Sequence, residues 1–180
     1  MLQTDRALLV VVDLQEKLLP AIPDRERVLR NSRLLQRLAR ELGIPTLLTM
    51  QYSKGLGPIV PEVRAEAPSA PMFDKTTFGC LADEAIASAI EGSDRDQLLV
   101  CGIETHICVA QTVLGAFEKG YEVHVASDAV ASRGEENHRV GLARMERAGA
   151  VLSSAEMAIY ELLGRSDSPA FKQMLPLLKG

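Results

Sequence analysis

The sequence predicts an α/β protein, a three-layer α/β/α sandwich with a central, mostly parallel sheet, formed by one domain over residues 1–180. Three observations predict it. The run Ala7-Leu-Leu-Val-Val-Val-Asp13 is apolar without alternation, which marks a strand buried on both faces. Further short apolar runs alternate with segments of helical spacing, and such alternation builds parallel strands joined by crossover helices. A chain of 180 residues that is 47% hydrophobic is long enough for one sizeable core and too short for two roomy domains.

Each element follows in order. After the first strand, Asp24 can cap a helix whose apolar positions Val28, Leu34, Leu35, Leu38, Ala39 and Leu42 recur at helical spacing, until Gly43 and Pro45 stop it. Pro45 to Met50 reads as the second strand. From Gln51 to about Pro71 the chain carries Gly55, Gly57, Pro58, Pro61, Pro68 and Pro71, too many breakers for a long element, so a substantial loop is expected. A short strand at Met72-Phe73, a helix from about Leu81 to Ile90 and a strand from Gln97 to Cys101 come next. The helix from His106 to Lys119, the strand from Tyr121 to Ala126, the helix from Glu135 to Ala148 and the strand from Ala150 to Ser153 complete the alternation. The tail predicts one short helix and an apolar segment from Phe171, with residues 164–180 packing either on their own domain or on a neighbouring subunit.

Composition narrows the partners. The net charge of −4 comes from 24 acidic and 20 basic residues mixed along the chain, which offers neither a nucleic-acid footprint nor a membrane patch. Small molecules or other protein chains are the expected partners. No apolar stretch reaches the length of about 18 residues that a membrane helix needs, and Met1 to Ala7 lacks a secretory pattern, so a cytoplasmic address is expected. Three cysteines without CxxC spacing argue against a disulfide framework or a structural zinc site.

In such a sheet, ligands bind outside the carboxyl ends of the strands. Asp13 ends the first strand and Lys75 follows the short Met72-Phe73 strand, so both reach that edge. Read singly, Asp13 could equally cap a turn and Lys75 could be merely solvated. Cys108 lies in Gly-Ile-Glu-Thr-His-Ile-Cys-Val, residues 102–109, at a strand-to-helix junction. With Thr105 as N-cap, Cys108 takes the third helical position, where orphan N–H groups and partial positive charge favour the thiolate and could hold an oxyanion. Cys101, inside an apolar strand, reads as a small hydrophobe, and Cys80 as packing or a pocket residue. None of His106, His124 and His138 is placed to serve Cys108 as a base. Asp13 is the group that could take the thiol proton, with Lys75 as the balancing cation.

Four stretches in this order resemble the isochorismatase-like cysteine hydrolases, over roughly residues 5–160. They are Leu8 to Gln15, Lys75 to Gly79, Val100 to Val109, and Val125 to Arg133 with Asp128 inside it. Gln51-Tyr-Ser-Lys-Gly-Leu-Gly-Pro-Ile-Val-Pro-Glu62 further resembles the isochorismatase domain-containing branch. The resemblance implies the three-layer sandwich, an Asp13–Lys75–Cys108 triad, and a cis peptide between Ile103 and Glu104 that turns the Glu104 N–H to join that of Cys108 in an oxyanion hole. It also implies dimers or larger rings.

Nicotinamidases of this family bind a metal with an aspartate and paired histidines after the second strand. Gln51, Tyr52, Ser53 and Lys54 stand there instead, so no metal or other cofactor is expected, and nicotinamide is disfavoured. Isochorismate hydrolysis is disfavoured too, because members with that activity do not depend on a cysteine. The expected activity is hydrolysis of a C–N bond in a small amide-like substrate. Gln51, Tyr52, Phe78 and Thr105 are the expected pocket wall. A binding or assembly protein without turnover and a redox-sensing thiol protein are the rival classes.

Overall fold

A computed structural model describes residues 1–178. Its sheet has six strands in the order β3-β2-β1-β4-β5-β6, and every pair is parallel. These are β1 (Ala7–Val12), β2 (Thr46–Gln51), β3 (Met72–Lys75), β4 (Gln97–Ile103), β5 (Glu122–Ala131) and β6 (Val151–Ser153). The chain builds outward from β1 to β3, then crosses back to lay β4 against the other side of β1. That reversal opens a crevice at the carboxyl ends of β1 and β4.

The unbroken apolar run of β1 is explained by burial on both faces. Leu9 and Val11 face a layer built with Val28, Leu35 and Leu38 of helix α1 (Arg25–Leu42), while Leu8, Val10 and Val12 face Ile86, Ile90, Val113 and Met145 on the other side. Those residues come from α4 (Glu84–Glu91), α5 (Ala110–Glu118) and α6 (Glu135–Ala148). Burying one such aliphatic side chain contributes about 1.5–3 kcal/mol, so the two layers together fix the sheet in place.

Several elements differ from the sequence reading. The 51–71 stretch holds two short helices, α2 (Ser53–Leu56) and α3 (Pro61–Glu66), because Pro61 sits in the first turn of α3, where its missing N–H costs no hydrogen bond. Asp24 occupies the cap position of α1 but makes no capping bond; its carboxylate accepts from Arg27. The helix expected from Leu81 starts later, at Glu84, where the Asp83 carboxylate accepts from the N–H groups of Ala85 and Ile86. β5 runs on to Ala131, because its pairing with β4 slips between Val100 and Gly102 and resumes at Val130.

The tail forms two helices, α7 (Ala155–Leu163) and α8 (Pro169–Leu178). Fully buried Met174 packs α8 into the layer shared by α1 and α7 of its own chain. Among the described residues no helix is long and apolar enough to cross a membrane.

Candidate active site

Asp13, one residue beyond β1, has the left-handed φ of 53°, a conformation that aspartate tolerates better than most side chains. Its carboxylate is fully buried and both oxygens are occupied. Oδ2 accepts from Lys75 Nζ at 2.7 Å, and Oδ1 accepts from Thr49 Oγ1 at 2.7 Å. The parallel register supplies these partners: Val12 pairs with Thr49, and Gln51 pairs with Lys75.

Lys75 is also fully buried and makes a second bond, to Gln51 Oε1 at 2.8 Å. Burial alone would lower its pKa, but the Asp13 charge, the neighbouring Cys108 and the hydrogen bond to Asp13 outweigh that and raise it. The amine therefore stays a cation.

Gln51 joins the two halves of the cluster. Its Oε1, already facing Lys75, lies 3.9 Å from Cys108 Sγ and accepts from the thiol. Its Nε2 donates to the Thr76 carbonyl at 3.1 Å. Gln15 holds the Gln51 backbone on both sides, accepting from its N–H at 2.7 Å and donating to its carbonyl at 3.1 Å.

Cys108 sits in a single π-helical turn, Thr105–Val109, that leads directly into α5. The Ile103–Glu104 peptide bond before it is cis. Thr105 is not the cap of this turn. Glu104 holds that position, while Thr105 is buried with its Oγ1 2.8 Å from His138 Nδ1 on α6, so it braces the turn from behind. His106 is tied likewise, with Nδ1 2.9 Å from Ser132 Oγ. Gly141 of α6 packs against the same turn, so closely that a Cβ there would meet His106 Cα at 3.0 Å.

The state of the sulfur departs from the sequence reading. The thiol of Cys108 is pushed well above the ordinary cysteine range, first by burial and then by the Asp13 charge, with Lys75 pulling the other way. Only 6% of the residue is exposed. A helix-start field favours a thiolate where the sulfur is hydrated and faces cations, whereas this one is desolvated beside a carboxylate. Burial and the facing carboxylate thus favour the thiol form.

The structure thus brings Asp13, Lys75, Cys108 and Gln51 into one buried cluster. Tyr52 and Phe78 stand outside it and are half exposed, at 55% and 52%. A surface cavity of about 410 Å³ holds none of these groups, lying at the opposite end of the sheet around Gly43–Thr46 and Pro68–Pro71. Among the described residues, no group of three or more His, Cys, Asp or Glu side chains could hold a metal ion. Sequence reasoning missed Thr49 as a member of the cluster. The available signal was spacing, since Thr49 and Gln51 are two apart and share one face of β2.

The isochorismatase domain model matches residues 7–157. The chain belongs to the isochorismatase family. Among its relatives, the isochorismatase domain-containing protein 2 of Danio rerio is 36% identical over 177 residues, covering 98% of this chain and 89% of that one. Among solved structures, the MAR1 ribonuclease of Caenorhabditis elegans superposes with a TM-score of 0.94 at 37% identity, covering 99% of this chain and 92% of its own. The YcaC protein of Escherichia coli, an octameric hydrolase of unknown specificity, gives 0.92 at 29% identity, with coverage of 98% and 89%. The family fold is one on which hydrolases are built, and the cluster occupies its strand-end crevice.

Proposed function

We propose that the protein is a cofactor-independent cysteine hydrolase that cleaves a C–N bond in a small amide-like substrate. The observation that carries this reading is the buried 2.7 Å Asp13–Lys75 pair set beside the Cys108 thiol, which Gln51 links to the same lysine. A thiol nucleophile needs a base within reach, and the Asp13 carboxylate is the group beside this one.

In the proposed cycle, Asp13 takes the thiol proton as the sulfur attacks the carbonyl carbon. The carbonyl oxygen becomes an oxyanion, held by the backbone N–H groups of Glu104 and Cys108 near the start of the helical turn, where such groups lack intrahelical partners. The C–N bond breaks, Asp13 protonates the leaving amine, and a thioester remains. Water then attacks the thioester and gives a proton to Asp13. The C–S bond breaks, the sulfur recovers the proton, and the acid leaves. Lys75 orients Asp13 throughout through its 2.7 Å bond to Oδ2. Gln51, Tyr52 and Phe78 form the entrance. The substrate is a small molecule rather than a nucleic acid, and the protein works as a homo-oligomer, as the octameric YcaC relative favours.

A second reading, cleavage of RNA, is favoured by the likeness to the MAR1 ribonuclease. One experiment separates the two. Small amides, carbamoyl compounds and single-stranded RNA are offered to the wild-type protein and to Cys108→Ala. Release of amine or ammonia by the wild type alone, with an acyl adduct on Cys108 seen by mass spectrometry, is the expected result. RNA cleavage that survives in Cys108→Ala would overturn it.

A further inference from the structure

The cluster continues beyond the three groups of the proposed chemistry and closes on itself. Thr112 Oγ1 donates to the Cys108 carbonyl at 2.7 Å and accepts from the Cys80 N–H at 3.0 Å. The Cys80 thiol donates to Thr49 Oγ1 at 3.9 Å, and Thr49 donates to Asp13 Oδ1 at 2.7 Å. Asp13 accepts from Lys75, Lys75 donates to Gln51, and Gln51 accepts from the Cys108 thiol. The ring begins at the carbonyl of Cys108 and returns to its sulfur.

Proton counting fixes the direction of the bonds at Thr49. Thr49 has a single hydroxyl proton and gives it to Asp13, so its lone pair faces Cys80. Cys80 is fully buried, and burial, the largest influence on it, pushes its thiol up to about 11. It is therefore a neutral donor at physiological pH. With Oδ1 held by Thr49 and Oδ2 by Lys75, the Asp13 carboxyl cannot turn about its Cβ–Cγ bond without breaking a buried hydrogen bond.

We infer that Thr49 is a positioning residue, fixing the orientation of Asp13 through its Oγ1 bond while Cys80 and Thr112 tie that hydroxyl to the turn carrying Cys108. The inference rests on the reading of Asp13 as the base for Cys108. Losing this bond frees Oδ1, so the carboxyl can turn and meets the Cys108 thiol in the productive orientation less often.

The test is the rate of Cys108 alkylation by iodoacetamide from pH 4 to 10, read by peptide mass spectrometry on wild type, Asp13→Asn, Thr49→Val and Thr49→Ser, with folding checked by circular dichroism. Wild type should react faster than Asp13→Asn at neutral pH. Thr49→Val should react about tenfold more slowly than wild type, the loss of one buried hydrogen bond on the base. Thr49→Ser, which keeps the hydroxyl, should restore the wild-type rate. If the valine does not fold, Thr49→Ala reads the same loss. Equal rates in wild type and Asp13→Asn would sink the base assignment itself. A rate lowered in Asp13→Asn but unchanged in the Thr49→Val or Thr49→Ala protein would overturn the role of Thr49 alone.

Discussion

Gly102 and Val12 lie back to back where β4 passes the end of β1: a Cβ added to Gly102 would stand 2.0 Å from the Val12 carbonyl oxygen. Gly102 also has φ of 118°, a conformation that side chains rarely adopt. No other residue allows the strand leading to Cys108 to pass so close to the strand that delivers Asp13. Gly102→Ala should therefore cost at least about 3 kcal/mol, because the clash is with backbone and cannot be relieved by a rotamer change. Urea unfolding of the variant should move the midpoint far below wild type, and a near-normal midpoint would contradict this account.

Lys75 and Asp13 are each fully buried, so removing one charge strands the other. Lys75→Met is expected to lose about 3–5 kcal/mol, the range seen when one partner of a buried pair is deleted. Combining it with Asp13→Asn should recover much of that loss while leaving the protein without turnover. Equilibrium denaturation of the two single variants and the double variant measures the coupling.

A second charge cluster sits on the α1 side. Glu66 of α3, with a side chain only 7% exposed, accepts from Arg33 and Arg37 of α1, and Arg40 approaches at 3.8 Å. Burial would raise its pKa, but the hydrogen bonds from Arg37 and Arg33 outweigh burial and hold it below the usual carboxylate value. A carboxylate depressed in the folded state contributes stability that is complete above its unfolded value of about 4.3 and is lost as pH falls through the folded one. Glu66→Gln should cost about 1–2 kcal/mol at pH 7, since the arginines are partly hydrated. The melting-temperature gap between variant and wild type should narrow below pH 4; an equal gap at both pH values would refute the assignment.

Much of this architecture was legible in the sequence because apolar periodicity is a local signal. The doubly buried β1, the breaker at Gly43 and the strand-end positions of Asp13 and Lys75 all follow from it. Pro61 misled because a proline stops one helix and starts another, and only its neighbours decide which. Thr105 misled because its hydroxyl found His138, 33 residues away, in place of its own turn. The ionisation of Cys108 was out of reach for the same reason. Position along a helix was visible, whereas the facing carboxylate and the loss of water are products of tertiary packing. The ring through Thr49, Cys80 and Thr112 draws on the end of β1, on β2, β3, the short turn at Cys80, the turn of Cys108 and α5, so no window of sequence contains it.

The amine of this cluster rides on the last residue of β3, a four-residue strand at the border of the sheet with one neighbour, β2. Asp13 and Cys108, by contrast, hang from the two innermost strands. The bonds of Lys75 to Asp13 and Gln51 therefore fasten the margin of the sheet to its middle as well as completing the centre.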